Sequence, residues 1–326
     1  MKDNNNNSER RFRRFGILTI ASVFFLIFVG GLVRSTGSGM GCPDWPKCFG
    51  TWVPPTDINE LPPDYKEKFK TATHEVADFD VYKTWTEYIN RLIGVLTGFF
   101  ILLTVFFALP YRKKDATVFW LSFLAFIGVA FEGWIGAKVV SSNLATWMVT
   151  IHMMIALAIV GLLIYTITRS QDFVIEQRND DNSLKRIMLA VLAISVVQTI
   201  SGTQVREQVD TVALMMGEQN RGYWVESLGN TFLFHRSFSL LSLILTVVLF
   251  LKIKVAFDRH SIIYKAALAL ILLISLQIFS GKLLDTAGFP KHIQSTHLFV
   301  GSLIAGVQLF ITILIFTKTK RAVQTV

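Results

Sequence analysis

Apolar runs of near-uniform length recur along the chain, broken by short polar and charged segments. They fall at about residues 15–33, 87–109, 117–137, 147–168, 187–204, 231–251, 265–284 and 293–316. Each approaches the ~20 residues that a helix needs to cross ~30 Å of hydrocarbon. The pattern predicts an all-α membrane protein with eight transmembrane helices. Between the runs it predicts a tail over 1–14, a first four-helix half over 15–168 with a long outer loop at 34–84, a linker over 169–186, a second four-helix half over 187–316 and a tail over 317–326. The Asn-rich start, Met1 to Ser8, is expected to be unstructured.

Composition agrees with that reading. Of 326 residues 52% are hydrophobic, and the mean hydropathy of +0.48 is too high for a water-soluble domain. Cations mark one side. Arg10, Arg11, Arg13 and Arg14 precede the first run, while Arg112, Lys113 and Lys114 follow the second. Arg169, Arg178, Lys185 and Arg186 follow the fourth, Lys252, Lys254, Arg259 and Lys265 the sixth, and Lys318, Lys320 and Arg321 the eighth. Short loops rich in Lys and Arg stay in the cytoplasm, so both termini are expected there. The net charge of +9 is mostly this bias and not a nucleic-acid footprint. No small-residue cleavage site follows 15–33, and no Arg- and Ser-rich presequence precedes it, so the expected location is a bacterial plasma membrane, spanned several times.

The two halves look duplicated. Tyr88-Ile89-Asn90-Arg91-Leu92 aligns with Leu233-Phe234-His235-Arg236-Ser237, Gly136-Ala137-Lys138 with Gly281-Lys282-Leu283, and His152 with His297. Asn90 to His152 and His235 to His297 both span 62 positions, and Gly136 to His152 and Gly281 to His297 both span 16. Gly31 to Asn90 spans 59 positions, whereas Gly202 to His235 spans 33. The first half therefore carries an inserted outer segment, and both cysteines lie in it.

His152, His235 and His297 fall near the outer ends of their helices. Imidazoles from facing helices can bind both faces of a heme iron, and His235 with His297 form such a pair. The bland reading of any one of them is an interfacial histidine. The first half offers Asn90 and His152, and asparagine is a poor iron ligand, so His152 would serve alone unless His74 reaches in. Glu87 lies one turn from Asn90 on the same helix face. It is either a carboxylate with a chemical task or a membrane-edge group paired with Arg91 or Lys83. Arg34, Arg91, Arg206 and Arg236 sit near outer helix ends, where they could pair heme propionates or simply snorkel. Trp45, Trp52, Trp85, Trp134, Trp147 and Trp224 fit an outer aromatic belt. Cys42 and Cys48 face an oxidising compartment, as a structural disulfide or a redox pair. The absence of phosphate-loop, zinc and hydrolase-elbow patterns argues against a nucleotide-driven transporter or a hydrolase.

The stretch from Gly30 to Gly50, GGLVRSTGSGMGCPDWPKCFG, followed by Trp52-Val53-Pro54-Pro55, resembles the first outer loop of heme A synthases. The likeness extends through Glu87 to Arg91, His152, His235-Arg236 and His297. It implies oxidation of a ring methyl of heme O to a formyl group, with water as oxygen source, for cytochrome oxidase assembly. It also implies a heme b cofactor on His235 and His297 beside Arg236, and a substrate site near Glu87, Asn90, Arg91 and His152 that the cysteine pair assists. The family has histidine where this chain has Asn90, which leaves two-histidine ligation of the substrate without its second residue. Expected partners are a heme O synthase (a farnesyltransferase), an electron acceptor and a second copy of the chain. Competing classes are a diheme electron-transfer cytochrome and a heme transporter or chaperone.

Overall fold

A computed structural model describes residues 2–70, 76–142, 144–178 and 182–321, with side chains from Asn7 to Thr319. His74 lies outside the described residues. The helices in chain order are α1 (Lys2–Ser35), α2 (Tyr65–Phe69), α3 (Val81–Ala108), α4 (Tyr111–Lys114), α5 (Ala116–Ser141), α6 (Thr146–Arg169), α7 (Asn182–Met216), α8 (Asn230–Ala256), α9 (Ile262–Thr286) and α10 (Lys291–Ile313), which continues as a π-turn through Lys318. Eight of them, all but α2 and α4, are long and apolar enough to cross a membrane. Many outward-facing side chains are large and apolar, among them Val95, Phe99 and Phe106 on α3 and Leu272 and Phe279 on α9, as lipid contact requires. The chain divides into two compact units, Met1–Ile167 and Thr168–Val326.

In the first unit α1 lies against α3, and α3 against α5. Glycines bring α6 in. A Cβ on Gly128 would stand 3.1 Å from Ile159 Cγ1, and one on Gly16 only 2.0 Å from Ile167 Cδ1. Helix association in lipid depends on such close approach, because burying apolar surface gains little there. The buried hydroxyls of Thr19 and Thr104 bridge α1 and α3 at 2.8 Å. At the basic end Phe12, Tyr111, Val118, Phe119 and Ile167 form a packed cluster. There Glu9 pairs with Lys114 at 2.7 Å and with Arg13 at 3.8 Å. These i,i+4 and tertiary pairs extend α1 toward the N-terminus, so the start expected to be unstructured is helical from Lys2.

The second unit is a closed ring in which α7 touches α8 and α10, and α9 touches α8 and α10. Its apolar core includes Leu184, Met188, Leu249, Ile253, Ile263, Leu270 and Ile311. Two three-residue strands, β1 (Ile175–Gln177) and β2 (Thr319–Arg321), pair in parallel, so the expected linker and tail are joined by backbone hydrogen bonds. Lys318 Nζ donates to the Gln171 carbonyl at 2.5 Å, and Arg178 pairs with Asp258 at 2.9 Å. The fifth long helix runs well past the predicted end at 204, to Met216. Its polar extension still carries an apolar stripe. Val205, Val209 and Val212 recur at helical spacing and pack with Phe232, Leu284, Phe289 and Trp224. Trp224 is therefore a core residue, 2% exposed, and not part of an aromatic belt. Its Nε1 donates to the Gly217 carbonyl at 3.3 Å, and Arg221 stacks on its ring at 4.5 Å.

Candidate functional site

The inserted outer segment of the first unit forms a small domain docked on α3. Cys42 and Cys48 are disulfide-bonded, with Cα atoms 4.9 Å apart. Both are fully buried, in a cluster with Phe49, Leu61 and Tyr65 flanked by Phe69, Phe79 and Tyr88. Phe49 meets Tyr65, Phe69 and Phe79 edge-on at 5.7–6.0 Å between centroids. Three turns of α3 hold this cap. Thr84 Oγ1 donates to the Gly41 carbonyl at 2.9 Å, and Trp85 Nε1 donates to the Pro55 carbonyl at 3.3 Å. Gly41 is obligatory, since a Cβ there would stand 2.5 Å from the Lys83 carbonyl oxygen.

Glu87 and Arg91 form the centre of that anchor. Glu87 Oε2 accepts the Cys42 N–H at 2.9 Å, and its other oxygen bridges to Arg91. Arg91 also donates to the carbonyls of Asp44 at 2.7 Å, Lys47 at 2.9 Å and Cys42 at 3.3 Å. Of the two partners considered for Glu87, the structure has Arg91 and not Lys83. The pair is almost enclosed, with side chains 4% and 13% exposed. The guanidinium serves the cap, its fork occupied by Glu87 and three carbonyls.

Asn90, on the next turn, has a buried Oδ1 with no hydrogen-bond partner among the described residues. A Cβ on Gly30 would lie 3.9 Å from that oxygen, as one on Gly202 would lie 3.2 Å from His235 Cε1. The structural counterpart of Gly202 is thus Gly30, one residue before the Gly31 chosen from sequence. His152 on α6 is half-buried, and its Nδ1 lies 3.2 Å from Glu132 Oε1 of α5. Both Glu132 oxygens are buried and have no aligned hydrogen-bond partner among the described residues.

In the second unit the rings of His235 (α8) and His297 (α10) stand 6.4 Å apart, centre to centre, at an interplanar angle of 69°. Two nitrogen–metal bonds of ~2.0–2.1 Å and two ring radii of about 1.1 Å sum to roughly 6.3 Å, so the separation of the rings matches that of two imidazoles sharing one metal. Local hydrogen bonds fix the tautomers. Ser280 Oγ donates to the Gln277 carbonyl at 2.9 Å and lies 2.8 Å from His297 Nδ1. Its proton being committed, the hydroxyl accepts Nδ1–H. Ser201 donates likewise to the Gln198 carbonyl at 3.0 Å and lies 2.9 Å from His235 Nδ1. Each imidazole therefore keeps its Nε2 lone pair for a metal. Gln277 Nε2 lies 3.0 Å from His297 Nε2 and caps that lone pair here. Gln198 Nε2 donates to the His235 carbonyl at 2.9 Å. Gly281, like Gly202, leaves room for the ring, since a Cβ there would stand 3.3 Å from His297 Cε1.

The serines, glutamines and Glu132 were not singled out from sequence, although a signal exists. Gln198-x-x-Ser201-Gly202 and Gln277-x-x-Ser280-Gly281 are one motif on two helices, and Glu132 lies 145 positions before Gln277, as His152 does before His297. The remaining arginines have local partners: Arg206 pairs with Asp210 at 2.5 Å and with Gln294. Arg236 lies 3.7 Å from Asp285 and 5.4 Å from the Phe232 ring, half exposed.

Comparison with known proteins fits this geometry. The chain is 25% identical to a heme A synthase of Shewanella oneidensis over 65% of its length, spanning 62% of that protein. It is 24% identical to one of Shouchella clausii, covering 80% of this chain and 83% of that one. It is 23% identical to one of Geobacillus kaustophilus, covering 96% and 94%. Residues 13–309 match the cytochrome oxidase assembly protein family, COX15-CtaA, and over that length the chain belongs to it.

Proposed function

We propose that the protein is a heme A synthase of a bacterial inner membrane, oxidising a ring methyl of heme O to a formyl group. The observation that carries this reading is the imidazole pair of the second unit at the spacing of a shared iron, with both Nδ1 atoms held by serine hydroxyls. His235 and His297 would hold a heme b, with Arg236 near its edge. Bound there, that heme supplies one-electron redox chemistry, which the removal of hydrogen from a methyl group demands.

The first unit is the substrate side. His152 binds the heme O iron, and Asn90 leaves the site with one symmetric imidazole. Oxidation of the methyl with water as oxygen source releases protons as well as electrons, and a separate electron acceptor takes up the electrons. Glu87 is the carboxylate at this end of α3, with one oxygen on the Cys42 N–H and the other on Arg91. It secures the cap above the substrate and faces the developing cation as part of that pair. The disulfide keeps that cap folded.

The two halves are read as a pseudo-symmetric pair, 15–168 and 187–316, with tails and linker on the cytoplasmic side. The grouping of α1's start with Arg112–Lys114 in one unit, and of β1 with β2 in the other, supports that orientation. A heme O synthase donating substrate and a second copy of the chain are proposed partners.

Co-expression with a heme O source, followed by extraction and chromatography of noncovalent hemes, tests the function. New heme A is expected, whereas unchanged heme O would make the chain a carrier or transporter. Glu87→Ala should stop heme A formation while the His235/His297 heme stays bound; near-normal output would remove Glu87 from the mechanism.

A further inference from the structure

The repeat makes each unit a reference for the other. In the second unit both histidines rest against a glutamine-serine-glycine surface, with the serine immediately before the close-approach glycine and hydrogen-bonded to Nδ1. In the first unit the position of Ser280 is Ile135 and that of Gln277 is Glu132, on the same 145-residue offset. Isoleucine has nothing to offer Nδ1. The polar atom facing His152 Nδ1 is Glu132 Oε1, at 3.2 Å, on a carboxylate that is 13% exposed; neither atom has an aligned hydrogen-bond partner among the described residues, and a small rotation of either side chain would join them. A glutamate in the apolar stretch of α5 is costly and needs a partner. The second substitution in the same unit is Asn90 for the histidine at His235. The unit that has an imidazole at only one of its two repeat-related positions is thus the unit whose imidazole faces a carboxylate.

We propose that Glu132 is a positioning residue for the substrate site. It accepts Nδ1–H of His152, orients the ring so that Nε2 faces the heme iron, and gives the single histidine anionic character that the serine-held histidines of the second unit lack. This rests on the reading of His152 as the ligand of the substrate iron. A carboxylate behind a ligating imidazole raises its basicity and favours the more highly charged metal. The first-unit iron should therefore be harder to reduce than it would be with a neutral partner, which suits a group that must give up electrons.

The test uses the full-length chain in lipid nanodiscs, loaded with hemin and titrated potentiometrically by absorbance. His297→Ala assigns the second-unit couple by its loss, and His152→Ala assigns the first. Glu132→Gln should raise the first couple by at least 59 mV, a tenfold shift toward the ferrous form for a one-electron step, and leave the second where it was. Glu132→Asp should keep most of the wild-type potential. Glu132→Gln combined with Ile135→Ser restores a neutral Nδ1 partner and should hold hemin firmly at the raised potential. A first couple that stays put in Glu132→Gln, or moves together with the second, overturns the proposal. Absence of any hemin couple assignable to His152 in the wild type overturns the substrate-site reading, and the role of Glu132 with it. If Glu132→Gln fails to fold, seen as loss of the second couple as well, the Glu132→Gln/Ile135→Ser double variant decides: its first couple must lie above the wild-type value with the second unchanged, and no difference refutes the role.

Discussion

Glu87→Ala should release the outer cap, and the size of the effect follows from its contacts. The substitution removes the acceptor of the Cys42 N–H at 2.9 Å and one partner of Arg91. A hydrogen bond to a charged group contributes about 1.5–3 kcal/mol, and breaking a buried ion pair costs about 3–5 kcal/mol when the remaining charge is stranded. Arg91 is not stranded, because the carbonyls of Asp44, Lys47 and Cys42 still receive it. The lower part of that range applies, about 3 kcal/mol, which at 1.4 kcal/mol per factor of ten raises the open population roughly 100-fold. Cys42 and Cys48 report it, since both are fully buried in the closed cap. With a fixed low concentration of reductant and excess maleimide, alkylation should accelerate by about that factor in Glu87→Ala. Glu87→Gln, which keeps an acceptor for the amide but loses the charge, should fall between. Acceleration below about threefold would mean that the aromatic cluster around Phe49 holds the cap and that the Glu87–Arg91 pair does not.

Other perturbations read other parts of the structure. Gly281→Ala and Gly202→Ala push a Cβ to 3.3 and 3.2 Å from the histidine rings; overpacking of about 1–3 kcal/mol should lower heme retention on detergent dilution roughly tenfold or more. Gly136→Ala meets His152 at an ordinary 3.7 Å and should leave heme content unchanged. Trp224→Ala, in the core of the second unit's outer end, should cost about 3–5 kcal/mol and lower the thermal midpoint measured by scanning fluorimetry. The Arg221 side chain hydrogen-bonded to Glu218 holds that carboxyl below the usual carboxylate range, so its contribution is present above the unfolded pKa of about 4.3 and is lost as pH falls through the lower folded value. Hydrogen-exchange protection in the 217–229 segment, corrected for the intrinsic pH dependence of amide exchange, should thus fall on acidification in the wild type and stay nearly constant in Glu218→Gln; being mostly exposed, the pair should change it only slightly.

Much of the fold was legible because lipid enforces it. Twenty apolar residues in a row have one stable solution in hydrocarbon, so the eight crossings were readable even where their ends were not. The ends failed for physical reasons. Val205, Val209 and Val212 extend α7 beyond the predicted boundary because their partners, Trp224 and Phe289, come from distant loops. Nothing local in 169–186 or 317–321 announces that three residues of each will pair as strands.

Candidate chemistry divides the same way. Histidine at matched positions on repeated helices was visible, because the equal 62-residue spacing of Asn90 to His152 and His235 to His297 preserves their placement. The residues that set the ligands' tautomers were not, since serine and glutamine are common on membrane helices and show their purpose only when a hydroxyl's proton is seen to be committed elsewhere, as in Ser201 and Ser280. Glu132 is different in kind, since a lone carboxylate within an apolar run is conspicuous on cost alone, and its offset from Gln277 equals that between His152 and His297. Duplication turns that observation into a comparison within one molecule: the same membrane, the same chain and the same residue type, with serine hydroxyls beside two histidines and a carboxylate beside the third. Any chemical difference between the two units must then be sought first in the repeat-related positions where they differ, among them Asn90, Glu132 and Ile135 and, opposite Gln198 and Ser201, Leu26 and Val29.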